Sequence, residues 1–175
     1  MNNTKNFNLL ISTSRFNEVN AIAELWFVLS ILGDIYPIIS KLPFSGLIAA
    51  LTNIEAKEVI GKIRKLSEKD PQFFQYILKI VPIDFVCETT AQILTKLVHE
   101  QYKAFISSKE SFRIVLKRRK HEKIDRDLLI EGIARGISNN VNLENPDKII
   151  RIEVLGNYSG ISFLEKKDIF RIIDE

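Results

Sequence analysis

The chain has 175 residues, of which 46% are hydrophobic and 27% charged, and its formal net charge is +3. This composition is typical of a folded protein, and the length suits one ordinary domain or two small ones. The net charge is too small to identify a partner. No apolar stretch reaches the roughly 18 to 20 residues of a membrane-spanning helix, and the single cysteine, Cys87, excludes an internal disulfide, so we expect a cytoplasmic protein that does not enter the membrane.

The first half of the chain predicts the order strand, helix, strand, strand, helix, strand. Short apolar runs bounded by turn residues indicate the strands, and apolar residues at helical spacing indicate the helices. The predicted strands are 7–12, 35–40, 46–51 and 76–81, and the predicted helices run from about 17 to 33 and from about 55 to 67. This order is the split βαβ arrangement of a ferredoxin-like domain, which we place at residues 1–81.

Aromatic residues in this half are predicted to be packed. The apolar run Ala21 to Leu32, interrupted by Glu24, predicts a buried helix. Trp26 within that run and the pair Phe73-Phe74 are therefore expected in the core or between domains, and stacking on a nucleotide base is the alternative.

The second half, residues 82–175, predicts helix, strand, helix and then strands. Asp125 is a candidate N-cap for the second of these helices, and Asn145-Pro146-Asp147 predicts a turn. The predicted helices are 90–106 and 126–138, and the predicted strands are 111–119, 149–155 and 160–164.

Positive charge is concentrated between Arg113 and Arg126, a segment with seven Lys or Arg residues against two acidic ones. Alternation along the strand 111–119 separates an apolar face from a largely basic face, which is suited to a phosphate backbone. The alternative is a solvated edge strand whose charges discourage aggregation. The candidate RNA-binding residues are Arg113, Lys117, Arg118, Arg119, Lys120, Lys123 and Arg126. Ser138, Asn139 and Asn140 beside them are better explained as a turn at the end of a helix than as RNA contacts.

Three segments of the second half follow one another in a characteristic order. The basic strand Ser111 to Arg119 precedes the helix segment Arg126 to Ala134, and then comes Val141 to Asp147, a hydrophobic-x-Leu-x-Asn-Pro-Asp sequence that leads into the strand Ile150 to Val154. Together they resemble the THUMP domain, an RNA-binding module attached to several tRNA-modifying enzymes. THUMP domains usually follow a ferredoxin-like domain, so the resemblance implies an α+β protein with a ferredoxin-like domain at 1–81 and a THUMP domain at 82–175.

The resemblance implies a tRNA-binding protein whose expected target is the 3′ CCA end. The family's enzymes carry a fused catalytic domain, whereas this chain ends at Glu175, directly after the last predicted strand. We therefore expect a protein without enzymatic activity that positions tRNA for a separate modifying enzyme. The expected enzyme is an RNA cytidine acetyltransferase, because a THUMP protein without a catalytic domain resembles the eukaryotic adaptor of tRNA acetylation. The alternative is a protein-interaction adaptor whose basic face docks a modifying enzyme rather than RNA.

The sequence predicts no catalytic or metal site and no cofactor. The two histidines and the single cysteine lack the spacing of metal ligands, and no glycine-rich nucleotide-binding loop occurs. A nucleophile and base formed by Cys87 and His99 would have to meet across a strand-to-helix transition, so Cys87 is expected to be a small buried residue. Two carboxylate pairs are interpreted as exposed acids at helix ends: Glu18 with Glu24, and Asp125 with Asp127.

Overall fold

A computed structural model of the chain describes residues 6–119 and 124–172. It confirms a mixed α/β fold with two separate sheets. The chain divides into two compact units: the first comprises residues up to Ile83 together with those from Lys167 onward, and the second comprises Asp84 to Lys166. No helix in the described ranges is long and apolar enough to cross a membrane.

The first unit has the predicted ferredoxin-like order and gains one further strand from the C-terminal part of the chain. Its elements are β1 (Leu9–Thr13), α1 (Glu18–Ile31), β2 (Ile38–Lys41), β3 (Leu47–Leu51), α2 (Ala56–Lys69) and β4 (Ile77–Pro82), with a last strand at Phe170–Arg171. All neighbouring strands are antiparallel. The core joins Leu9 and Ile11 of β1 to Leu25 of α1 and Ile60 of α2, so one face of the sheet is covered by both helices.

Two acids of α1 are structural rather than exposed, which corrects the interpretation of Glu18 and Glu24. Glu18 is 4% exposed and accepts a hydrogen bond from the Gly46 N–H at 2.7 Å, which lowers the pKa of this carboxyl. Gly46 has φ +76°, and a Cβ there would lie 2.7 Å from the Thr13 carbonyl oxygen, so only glycine fits. The Glu24 carboxylate accepts from the backbone N–H groups of residues 75 to 77 at the start of β4.

The second unit contains a four-stranded sheet with two helices on one face. Its elements are β5 (Phe85–Glu88), α3 (Ala91–Phe105), β6 (Phe112–Arg119), α4 (Arg126–Arg135), β7 (Lys148–Leu155) and β8 (Tyr158–Leu164). The strand order is β5-β8-β7-β6, where β6 and β7 are parallel and the other pairs antiparallel. Phe112 and Leu116 of β6 share a core with Val98 of α3 and Ile133 of α4. The predicted strands do not include β5, a strand of only four residues of which three are half-buried and one is exposed.

Side-chain caps fix where these two helices begin. Thr90 accepts from the Ile93 N–H ahead of α3, and Asp125 accepts from the Leu128 N–H ahead of α4, as predicted for Asp125. At the other end of α4, the His99 Nε2 lies 2.8 Å from the Ile133 carbonyl oxygen. A Cβ at Gly136 would lie 2.2 Å from the His99 ring, so this glycine allows the ring to approach.

The C-terminal segment belongs to the first unit. A short 3-10 helix (Lys166–Asp168) leads into β9 (Phe170–Arg171), which pairs with β4. Arg64 of α2 donates to the carbonyl oxygens of Lys167 and Ile169 at 2.8 and 3.1 Å. The sequence prediction differed here, since it placed 82–175 in one domain. A two-residue strand has no periodicity from which its partner can be inferred.

Candidate nucleic-acid interface

Strand β6 carries four of the predicted RNA-binding residues at one edge of the second sheet: Arg113, Lys117, Arg118 and Arg119. Its even-numbered residues Phe112 and Leu116 point toward the helices, because they lie in the core that contains α3 and α4. Side chains alternate along a strand, so Arg113, Lys117 and Arg119 lie on the opposite face. The predicted separation into an apolar and a basic face is therefore present in the structure.

Three of the predicted cations are exposed. Lys117 and Arg118 lie near the C-terminal end of β6, and Arg126 opens α4 with a side chain 57% exposed. The Arg118 Nη1 donates to the Ile124 carbonyl oxygen at 2.5 Å, and Arg126 lies 3.2 Å from the Asp127 carboxylate. Each guanidinium has five N–H donors in total, so these contacts leave donors available to a phosphate.

Arg119 is committed to an ion pair inside the protein. Its Nη1 lies 2.6 Å from the Glu153 Oε2, and the other oxygen of Glu153 accepts from Arg151 at 2.6 and 2.7 Å. Arg151 and Glu153 are 3% and 1% exposed. We call these three residues the β6–β7 charge triad. Its carboxylate sits between two guanidiniums, so Arg119 helps to neutralise a buried acid as well as presenting a partly exposed side chain.

Sequence reasoning missed Arg151 and Glu153, although a signal for them was present. The segment 149–155 is apolar apart from these two residues, which are two positions apart and therefore share one face of the strand. Opposite charges on one face of an otherwise apolar strand are typical of a buried, paired site.

Arg113 connects β6 to the segment that precedes β7. Its Nη1 donates to the Leu143 carbonyl oxygen at 2.9 Å, and its Nε is buried with no hydrogen-bond partner among the described residues. The remaining two predicted cations, Lys120 and Lys123, lie outside the described residues. The side chains of Lys117, Arg118 and Arg126 are thus exposed, with Lys117 and Arg118 on opposite faces of the strand, whereas Arg113 and Arg119 make contacts within the protein.

The Asn-Pro-Asp turn stabilises the start of β6. The Asp147 carboxylate accepts from the Ser111 N–H at 2.8 Å and from its hydroxyl at 2.7 Å, and these hydrogen bonds lower the pKa of Asp147. Asn139 donates to the carbonyl oxygens of Ser107 and Glu110. Both side chains hold loop backbone in place, as the turn interpretation of these segments predicts.

The described part of the chain does not assemble a metal site or an activated thiol. No group of three or more His, Cys, Asp or Glu side chains within 6–119 and 124–172 is arranged to hold a metal ion. Burial, with a smaller contribution from Glu88, raises the pKa of Cys87 to about 11, which favours the unreactive thiol. His99 contacts the Ile133 carbonyl oxygen instead.

Comparisons with known proteins bear on both units. Residues 88–164 match the family described as the THUMP domain. PH1313 from Pyrococcus horikoshii Ot3 has a similar fold, with a TM-score of 0.67 and 18% identity over 90% of this chain and 55% of that one. TrmN from Thermus thermophilus gives a TM-score of 0.61 and 12% identity over 90% and 45%.

A third similar structure is a 4-thiouridine synthetase in complex with RNA and bound ATP, with a TM-score of 0.59 and 12% identity over 95% of this chain and 42% of that one. At these identities the likeness shows a shared fold. The chain spans about half the length of these three structures. A search of curated proteins finds no match.

Proposed function

We propose that the chain binds tRNA through residues 88–164, which match the THUMP domain, and positions it for a separate modifying enzyme. The observation that carries the proposal is the coincidence of this RNA-binding module with the unit that exposes Lys117, Arg118 and Arg126. The proposed partner enzyme is an RNA cytidine acetyltransferase, in line with the resemblance to the adaptor of tRNA acetylation. We also propose that the chain is cytoplasmic and has no catalytic activity of its own.

Phosphate binding is favoured by cations that are exposed and restrained before the RNA arrives. The Arg118 hydrogen bond to the Ile124 carbonyl oxygen restrains its guanidinium, while Lys117 is exposed on the other face of the strand. Arg126 stands in the first turn of α4, immediately after the N-cap Asp125. Cations on a rigid strand and a capped helix lose less conformational entropy on binding than cations on an unstructured segment, which favours an RNA complex.

Arg113 and Arg119 are assigned a supporting role in this proposal. Arg113 holds the 141–147 segment to β6, and Arg119 holds β6 to β7 through Glu153. The proposal therefore concentrates direct phosphate contact on Lys117, Arg118 and Arg126, and it assigns the other two to the geometry of the strand.

The test is binding of the purified chain to whole tRNA and to the same tRNA lacking its terminal CCA, over a series of salt concentrations. Each phosphate neutralised contributes about 0.7 to 0.9 to the slope of log K against log salt. The double variant Lys117→Ala/Arg118→Ala should reduce the magnitude of this slope by about 1.4 to 1.8 and weaken binding at low salt. A matched control removes two exposed cations from α2 in the first unit, Lys65→Ala/Lys69→Ala, and should leave the slope unchanged.

Two results would contradict the proposal. Absence of binding at low salt would remove direct RNA recognition and favour the alternative, in which the basic face docks a modifying enzyme. An equal reduction of the salt slope in the β6 and α2 variants would show that any exposed cation contributes to RNA binding, whatever its position. The positioning role is tested separately: the chain should increase acetylation of tRNA by a purified RNA cytidine acetyltransferase, and the β6 variant should not.

A further inference from the structure

The outward side of α1 is largely apolar, with Asn20 as an exposed polar residue, and it carries no charged side chain. Its exposed apolar residues, which we call the α1 face, are Val19, Ala23, Trp26, Phe27 and Ile31. Trp26, Phe27 and Ile31 are each 50% to 54% exposed, and Val19 is 72% exposed. The opposite side of the helix already provides core residues such as Leu25 and Leu29. Helix α1 is therefore apolar on both sides, whereas one side is sufficient for folding.

The acids of α1 do not alter this. Glu18 is buried against Gly46, and the Glu24 carboxylate is occupied by backbone N–H groups at the start of β4. Helix α2 offers a direct contrast, since it has the same length of 14 residues and packs on the same sheet. Its exposed side carries charged residues: Glu58, Lys65, Glu68 and Lys69.

The apolar surface continues beyond the helix. Ile35 and Tyr36 directly follow α1 and are 58% and 85% exposed, so the exposed apolar residues continue past the end of the helix. An aromatic side chain offers about 150 to 250 Å² and an aliphatic one somewhat less, so the exposed parts amount to on the order of 800 Å². Monomeric proteins rarely leave an apolar patch of that size uncovered.

We infer that the α1 face, extended by Ile35 and Tyr36, is a self-association surface on which a second copy of this chain docks about a two-fold axis. RNA does not suit it, because the surface has no cation to meet a phosphate. A suitable partner has an uncharged apolar surface of about 800 Å², the usual contribution of each side of a stable interface. In a two-fold dimer the same patch of each copy meets the other. Because this patch is uncharged, the contact brings no like charges together.

The inference is independent of RNA binding and is tested on the full chain. The mass in solution, measured by sedimentation equilibrium, should be twice 20.1 kDa at high concentration and should fall on dilution. Trp26 is the only tryptophan, so its fluorescence reports on this surface directly. Its emission should move to longer wavelength over the same dilution range, because the dissociated monomer exposes the indole ring to water.

Charged variants on the α1 face should dissociate the dimer. Phe27→Glu and Ala23→Glu each bury two carboxylates, one per copy, and should weaken association by about tenfold or more. The control Lys65→Glu places a new carboxylate on the exposed side of α2 and should leave the mass unchanged. Circular dichroism checks that each variant is folded. If Phe27→Glu does not fold, the mass of Ala23→Glu tests whether the α1 face holds the dimer.

The inference is overturned by a mass of 20.1 kDa at every concentration with constant Trp26 emission. It is also overturned if a dimer forms whose mass neither charged variant changes, since another surface would then hold it. Binding of a different protein to the α1 face of a monomeric chain would assign the surface to that partner instead.

Discussion

Helix α1 and strand β6 depart from the expected burial of their residues in opposite directions. The apolar run that contains α1 predicts a buried helix, yet Trp26 and Phe27 are half-exposed. The basic strand predicts cations that face solvent, yet Arg119 pairs with Glu153, an acid that is 1% exposed. In one region hydrophobic side chains remain at the surface, and in the other charged side chains are drawn inside.

The difference shows that residue type alone does not determine whether a side chain is buried. An apolar side chain is buried only where the fold supplies a second surface, and α1 has just one sheet face against which to pack. A charged side chain can be buried where the fold supplies an opposite charge at hydrogen-bond distance, as β7 does for Arg119. An unexpected exposure therefore suggests an intermolecular contact, whereas an unexpected burial identifies a contact within the chain.

The largest expected effect concerns the β6–β7 charge triad. Glu153→Ala leaves the buried Arg151 without its carboxylate, and we expect the free energy of unfolding to fall by about 3 to 5 kcal/mol. The control Glu131→Ala removes an acid from an exposed pair with Arg135 on α4, and it should cost no more than about 0.5 kcal/mol. Urea denaturation of both variants measures the difference. Equal costs would show that the triad is no more important than a surface ion pair.

A second prediction compares the two sides of α1. Leu25→Ala removes a side chain with no exposed surface and should lower the free energy of unfolding by about 2 to 5 kcal/mol. Phe27→Ala deletes a larger side chain but should change the unfolding free energy of the monomer by only about 0.5 kcal/mol. Both are measured by denaturation at concentrations where the chain is monomeric. A large loss for Phe27→Ala would mean that this ring is packed within its own chain.

Much of the fold could be predicted because the larger elements have clear local signals. The order of elements in the first unit and the Asp125 cap of α4 follow from periodicity and capping chemistry. Strand β9 could not be predicted, since it has two residues and pairs with β4, which is distant in the sequence. Strand β5 likewise pairs with β8, 70 or more residues away in the chain, so local sequence does not reveal its partner. The buried position of Glu18 depends on the N–H of Gly46, 28 residues away in the chain, which no local pattern reveals.

The sequence predicted where the candidate site lies in the chain, but it did not predict the contacts that its side chains make. The basic face of β6 is evident from alternation, and the exposure of Lys117 agrees with it. The partners of Arg113 and Arg119 lie 30 and 34 residues away in the chain, on the segment before β7 and on β7 itself. Local sequence specifies that a strand is charged, but the register with its neighbour decides which of those charges are neutralised.

The smallest effect concerns Asp147, an exposed carboxylate on the same unit that contrasts with the buried Glu153. Hydrogen bonds from the Ser111 hydroxyl and N–H lower the pKa of Asp147 below the ordinary aspartate value of about 3.9. A lowered folded-state pKa contributes stability that is fully present above the unfolded-state value and is lost as the pH falls through the folded-state value. The stability difference between the wild type and Asp147→Ala should therefore be constant near neutral pH and shrink in acid below about pH 4.

Ser111→Ala provides the matched test of the cause. It removes the hydroxyl donor but keeps the backbone N–H, so the pKa of Asp147, followed by NMR titration, should rise toward the ordinary value without reaching it. The hydroxyl is the largest cause of the lowering, so its removal should raise the pKa of Asp147 measurably. An unchanged pKa in Ser111→Ala would mean that the hydroxyl does not stabilise the carboxylate, and the turn would then depend on the backbone hydrogen bond alone.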